Sequence, residues 1–548
     1  MHAMVNGISL EFAPGETYGD VVASMPGGAA GALGVLVNGR PLSLGAAAAD
    51  GAQVRVLTYR DEEGRRIYER SLQLLFLAAA HQAAPGLEVR FEHSYGQGLY
   101  ITISGAEATD ILLDGIEARM TALAEENLPI ERLRLPTEEA REIYATRGQP
   151  DRLRLLKYRE YAYITLYRLM DELEYFYGEM VPSTGYIRVF RLHRVAPGIV
   201  LSVPDVADCS QPAQLKHFLK LLRTYQESAH WSKILGCSNA ADLNAMTLSG
   251  ELREFIRVNE ALQERKVQAI ADMFAESGAR MILIAGPSSS GKTTFAHRLQ
   301  IALRVLGLRP MKISLDDYYL NREDIPLEED GSQDLERIDT LDLPLLQENL
   351  CRLLAGEKID APEFDFVAGR RKEKTHPMRA DADQPLVIEG IHALNPKMTR
   401  GIPDSLKFRV YISALTMLNL DEHNRIRTTD ARLLRRIVRD YQFRGTPPED
   451  TMAMWNSVRR GEERYIFPFQ EEADVMFNSS LDYELTIMKK YVYPVLCAVG
   501  PESPYYTLAL RLVKILDYIR TADVEDEIPI NSILREFIGG CCFYRMKD

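Results

Sequence analysis

A doubly wound, mostly parallel α/β domain, placed behind smaller α+β units, is the architecture this sequence predicts, and three observations carry the prediction. A short apolar run, Met281-Ile282-Leu283-Ile284-Ala285, leads into Gly286-Pro287-Ser288-Ser289-Ser290-Gly291-Lys292-Thr293, which fits the pattern G-x-x-x-x-G-K-[ST] without a mismatch; Phe295 to Gln300 then continues in helix-favouring residues. Strand, glycine-rich loop and helix follow in the order that a P-loop NTPase fold requires. Two further strand-like runs, Met311 to Leu315 and Pro385 to Gly390, deliver carboxylates at their ends, where an open parallel sheet places its ligand crevice. Finally, the chain has 548 residues, and single cores stop growing at about 250 to 300, so several domains are expected.

Each element follows from local pattern. From residue 1 to about 60, the runs Gly7 to Phe12, Gly34 to Gly39 and Val54 to Thr58 alternate with glycine-rich turns, making 1–60 a small α+β module. A helical apolar stripe from Ile67 to Gln82, strand candidates at Leu87 to Phe91 and Leu99 to Ile103, and a charged helix from about Asp110 to Glu126 define a second α+β domain over 61–195. Residues 196–275 read as a helical connector ending in the amphipathic stretch Glu251 to Glu276. The nucleotide-binding domain spans 276–490, and 491–548 forms a C-terminal helical segment with a closing helix from Tyr505 to Ile519 and a break at Gly539-Gly540.

Composition narrows the class. With 46% hydrophobic and 26% charged residues the chain is an ordinary globular one, and its net charge of −13 argues against a general nucleic-acid or membrane-surface binder. Six cysteines without C-x-x-C spacing, and the lack of a signal-peptide pattern, point to a reduced, cytoplasmic protein.

The loop supplies the chemistry. Glycines let backbone N–H groups wrap a polyphosphate, the helix start adds its positive dipole end, Lys292 brings charge to the β- and γ-phosphates, and the Thr293 hydroxyl can ligate Mg²⁺. Gly286, Pro287, Ser288, Ser289, Ser290, Gly291, Lys292, Thr293 and Thr294 are therefore the binding candidates for ATP with Mg²⁺. Asp316 follows the run from Met311, beside the phosphate loop, where an acceptor hydroxyl must lose its proton; helix capping or a solvated turn would also place a carboxylate there. Glu389 ends its own strand where a carboxylate can orient Mg²⁺ or its waters. Arg432, Arg435, Arg436 and Arg439 share one helix face, which suits a lid bringing cations over a transferring phosphoryl group.

Together these blocks resemble the uridine kinase and phosphoribulokinase group of P-loop kinases over about residues 280 to 480. The resemblance is carried by the phosphate loop, by Asp316-Asp317-Tyr318-Tyr319, by Phe364-Asp365-Phe366-Val367 followed by Arg371-Lys372, and by the run Arg432 to Asp440. It implies Asp316 as general base for a nucleoside 5′-hydroxyl, Glu389 on the Mg²⁺ side with Thr293, and Tyr319 and Glu336 on the ribose side. It also implies Lys292, Arg435 and Arg439 as catalytic cations, Arg432 and Arg444 as lid contacts, and Phe364, Phe366 and Arg371 as substrate contacts. Where uridine kinases carry an aromatic hydroxyl and a histidine against the pyrimidine edge, this chain has Phe364 and Gly369. An aromatic face and a gap predict a looser acceptor site, with the base held by stacking on Phe364 or Phe366.

The N-terminal half resembles a different family. Residues 1 to 60 are similar to the ubiquitin-like β-grasp module (TGS domain) of threonyl-tRNA synthetases, and Val181-Pro182-Ser183-Thr184-Gly185 with Ile187-Arg188-Val189-Phe190 resembles the end of their editing domain. That domain binds a metal through three histidines and a cysteine; the matching positions here are Arg70, Leu74, Phe176 and Met180, which implies a retained fold without its metal chemistry. Nearby His81 and His93 read as capped or solvent-facing residues. Three functions remain open: transfer of the ATP γ-phosphate to a nucleoside 5′-hydroxyl, the same transfer to another small alcohol or sugar phosphate, or a nucleotide-switched regulatory protein whose synthetase-like half binds tRNA. A nucleoside-type small molecule is the first expectation. No membrane partner is expected, net charge disfavours nucleic acid, and tRNA and a homo-oligomer are left open.

Overall fold

Strand Met281–Ala285 is buried along its whole length, as an uninterrupted apolar sequence requires of a strand in a parallel sheet covered on both faces. The structure, a computed structural model, describes residues 1–26, 30–159, 161–326, 333–365 and 368–543. Leu386–Glu389 and Lys407–Ser413 flank the central strand, and Met311–Ser314 and Val475–Asn478 form the edges, every pairing being parallel. Because all five strands run the same way, the phosphate loop, Asp316 and Glu389 emerge at one end of the sheet. Helix Lys292–Val305 covers one face through Phe295, Leu299 and Leu303, packed with Ile270 and Phe274 of helix Leu252–Ser277. Helix Leu343–Leu354 covers the other, its Leu346 and Leu350 packing in one cluster with Leu283 and Ile388.

Ahead of this domain, five short strands form a mixed sheet in which the first strand, His2–Val5, pairs antiparallel with the second and parallel with the fifth, Ala52–Thr58. Helix Tyr18–Ala23 crosses it behind a Thr17/Asp20 capping box, completing a β-grasp module. The next domain is built around helix Glu62–Ala83, whose Leu72, Leu75 and Phe76 are fully buried, and helix Asp110–Glu126, both packed with a four-stranded antiparallel sheet. A second, three-stranded sheet, Glu131–Pro136, Tyr163–Leu169 and Glu172–Tyr175, completes it.

Two expected boundaries move. The one at 195 divides a hairpin: Arg191–Val195 pairs antiparallel with Gly198–Ser202, which in turn pairs with Leu99 to Ile101 of the same sheet. The one at 490 falls inside helix Glu484–Cys497, whose core is shared with helix Tyr506–Leu516. The end of the expected connector, helix Leu252–Ser277, belongs to the core of the nucleotide-binding domain rather than to a linker. The two halves are joined by buried charge: Asp430, in helix Thr428–Arg444, accepts from Arg66 of the N-terminal half at 3.3 Å and from Arg511 of the C-terminal helix at 3.1 Å. No helix among the described residues is long and apolar enough to cross a membrane.

Candidate active site

The phosphate loop is shaped by close backbone packing. A Cβ at Gly286 would lie 2.0 Å from the Ile412 carbonyl oxygen, and Gly291 turns the chain into helix Lys292–Val305 at φ +81°, a left-handed conformation open to glycine at little cost. Above the loop lies a cleft of about 860 Å³ lined by Lys292, Thr293, Asp316, Tyr319, Glu336 and Glu389, with Arg436, Arg439 and Arg444 from helix Thr428–Arg444. Ser288, Ser289 and Gly291 also face it, whereas Ser290 and Thr294 are buried with the loop.

The carboxylates and cations in this cleft are electrically coupled. Asp316 retains contact with water in the open cleft, yet protein crowds it; this desolvation, reinforced by the Glu389 carboxylate, pushes it up to about 6 against the pull of Lys292. Crowding likewise pushes Glu336 up to about 7, with Glu462 adding to the rise and Arg436 opposing it. Burial lowers the Lys292 ammonium, while Glu389, Asp316 and Glu536 pull it back. Its Nζ donates to the Pro287 carbonyl at 3.0 Å. Thr293 Oγ1 and Glu389 Oε1 lie 3.4 Å apart, and Lys312 Nζ approaches the same carboxylate at 3.4 Å. Hydroxyl and carboxylate oxygens are hard donors and fit Mg²⁺, which takes few protein ligands and completes its shell with water and phosphate oxygens.

The arginine face divides. Arg436 Nη1 donates to Ser288 Oγ at 2.9 Å, and Asp440 holds Arg436, Arg439 and Arg444, each at 3.2 Å, around the mouth of the cleft. Arg432 and Arg435 do not reach it and are not lid contacts in this structure. Both are buried behind the loop, Arg432 paired with Glu462 and donating to the Ser288 carbonyl at 2.9 Å, Arg435 paired with Glu484 and donating to the Ser479 carbonyl at 2.8 Å. Arg432 on the Ser288 carbonyl and Arg435 at 3.4 Å from the Ser289 carbonyl brace the loop backbone, while Arg436 and Arg439 face the cleft.

Three further expectations are corrected. Phe364 is 9% exposed, packs its ring on Tyr319 at 5.8 Å and does not line the cleft. Arg371 is a brace too, donating to the Tyr318 and Tyr319 carbonyls at 3.0 Å and pairing with Asp342 at 3.0 Å. The space beside Gly369 is no gap, because a Cβ there would lie 2.6 Å from Arg322 Cδ. Phe366 lies outside the described residues. Sequence reasoning also missed Glu462 and Glu484, whose buried carboxylates mark the inner arginines, and Glu536, brought in by the distant C-terminal segment.

In the N-terminal half, Leu74, Phe176 and Met180 are core residues, and Arg70 Nε donates to the Glu179 carbonyl at 3.0 Å. His81 is half-buried and bonded to Glu172 at 2.6 Å. His93, by contrast, is buried and stacked on Tyr225 at 3.5 Å rather than solvent-facing, and burial pushes it down to about 3.

The model of the phosphoribulokinase / uridine kinase family matches residues 281–485. The uridine kinase of Proteus mirabilis (strain HI4320) is 30% identical over 196 residues, which are 35% of this chain and 84% of that protein. The threonine–tRNA ligase of Clostridium kluyveri (strain ATCC 8527) is 29% identical over 167 residues, 30% of this chain and 26% of that protein, in line with the synthetase-like N-terminal region. A solved structure described as a possible uridine kinase from Bacillus stearothermophilus is 20% identical, spans 39% of this chain and 100% of its own, and has a TM-score of 0.27. With its phosphate loop, parallel sheet and helix Thr428–Arg444 inside the matched region, the chain belongs to the phosphoribulokinase and uridine kinase family and carries a P-loop kinase domain.

Proposed function

We propose that this protein is a cytoplasmic nucleoside kinase that transfers the γ-phosphoryl group of ATP to a nucleoside 5′-hydroxyl. The observation that carries the reading is the placement of Asp316 in one cleft with Lys292, Arg436 and Arg439, where crowding by protein and the Glu389 carboxylate raise it to about 6. Such a group is ionised at neutral pH yet basic enough to take a proton from an alcohol as the phosphorus–oxygen bond forms. The loop N–H groups and Lys292 hold the donor phosphates, and Arg436 and Arg439 stabilise charge on the equatorial oxygens of the transferring group. Thr293 and Glu389 would hold Mg²⁺, which when bound neutralises phosphate charge. Tyr319 and Glu336 line the acceptor side and are the proposed ribose contacts.

A second reading, transfer to another small alcohol or a sugar phosphate, is favoured by one observation: Phe364, one of the two rings assigned to stack on the base, is packed away from the cleft. The test is mutational. Lys292→Ala is expected to abolish turnover, and Asp316→Asn to lower kcat by about a hundredfold or more with ATP affinity retained. Normal turnover in Asp316→Asn would remove Asp316 from the chemistry.

A further inference from the structure

One wall of the phosphate-loop cleft comes from beyond the family match, which ends at residue 485. Glu536, in the short helix Arg535–Ile538, lines the cleft, and its Oε2 accepts a hydrogen bond from Thr294 Oγ1 at 2.7 Å, across a sequence separation of 242 residues. The segment that carries it is firmly seated. Ile533 and Phe537 are fully buried among Phe295 and Ile412. Ile533 presses so close to the loop that a Cβ on Gly291 would lie 2.5 Å from its Cγ2, and the Arg435 guanidinium lies over the Phe537 ring at 5.1 Å. Ser532 Oγ donates to Glu260 Oε1 at 2.6 Å, tying the segment to helix Leu252–Ser277 as well.

Thr294 is the third residue of helix Lys292–Val305, whose first turn offers the N–H groups and positive dipole end that anchor a polyphosphate. A carboxylate bonded to that turn is an anion already placed in the field meant for the donor, and it also contributes to the field around the Lys292 ammonium. Building on the nucleotide-site reading above, we propose that Glu536 is an internal competitor of the donor phosphates and that the C-terminal segment thereby sets nucleotide affinity. Polyphosphate and carboxylate repel at close range. Because Ile533 and Phe537 hold the backbone, the Glu536 side chain has to turn away from Thr294 when the nucleotide enters.

Calorimetric titration of the full chain with a non-hydrolysable ATP analogue and Mg²⁺, at low and high salt, tests this. Glu536→Gln is expected to bind about tenfold tighter than wild type at low salt, with the gap narrowing as salt screens the repulsion. Glu536→Asp, which keeps the charge, should bind like wild type. Unchanged or weaker binding by Glu536→Gln, a salt-independent gap, or equal tightening by Glu536→Asp overturns the proposal while leaving the nucleotide site intact. If wild type binds no analogue, or Lys292→Ala binds as tightly as wild type, the nucleotide-site reading falls and the proposal falls with it.

Discussion

Titration of Asp316 should be visible in the pH dependence of turnover. An ordinary aspartate near 3.9 is already more than about nine-tenths ionised at pH 5 and would leave kcat/KM nearly flat from there to pH 7. With crowding and Glu389 raising Asp316 to about 6, its ionised fraction grows from about one-eleventh at pH 5 to about ten-elevenths at pH 7. A general base works only when ionised, so kcat/KM for the acceptor should rise about tenfold over that interval, with a slope near one on the acid limb. Lys312, whose charge opposes the rise at Asp316, supplies a control: Lys312→Met should move the limb to higher pH. Glu336, pushed up to about 7, is the competing source of such a limb. Profiles of Asp316→Asn and Glu336→Gln, measured as ADP release at saturating ATP and Mg²⁺, separate them. A flat wild-type profile, or an acid limb that survives unchanged in Asp316→Asn, would refute the assignment.

Other expectations follow from the same geometry. Asp430→Asn removes the buried carboxylate shared by Arg66 and Arg511, but Arg66 keeps Glu62 at 2.8 Å and Arg511 keeps Glu63 at 2.8 Å, so the loss should fall below that of a buried charge left unpaired, at about 2 kcal/mol in urea unfolding. A change under about 0.5 kcal/mol would show that the two halves are not held together by this network. Purified protein should contain no stoichiometric zinc and should not hydrolyse mischarged tRNA, since Arg70, Leu74, Phe176 and Met180 offer no zinc ligand; one tightly held zinc per chain, lost on substitution within the N-terminal half, would contradict this.

How far the sequence could be read depended on whether a signal was local. The phosphate loop, its strand and its helix were legible because glycine spacing and apolar runs act within a few residues, and helix Asp110–Glu126 announced itself by its own periodicity. Strands Glu131–Pro136 and Tyr163–Leu169 lie outside that reach; in the first, Leu133 and Leu135 do alternate with Arg132 and Arg134, but two half-buried leucines in a short, exposed run are a weak local signal. The arginine face was visible as a face, but which of its members meet solvent depends on Glu462 and Glu484, carboxylates on other helices. Phe364 and Arg371 carried the right residue types for an acceptor site, yet the strand pair Phe364–Asp365 and Arg370–Arg371 folds them onto Tyr319 and Asp342. Glu536 had no local signal at all, since only the return of the C-terminal segment brings it to Thr294.

The central claim, that this family member phosphorylates nucleosides, is tested most directly by ATP-dependent ADP release with uridine, cytidine, adenosine, guanosine and inosine beside a panel of sugars and sugar phosphates. On the nucleoside reading, a cleft lined by Glu336 and Tyr319 as proposed ribose contacts, to which Phe364 offers no ring, predicts turnover on more than one nucleoside and discrimination among bases well below about 10⁴-fold. Turnover confined to a sugar or sugar phosphate, with none of the five nucleosides accepted, would contradict it.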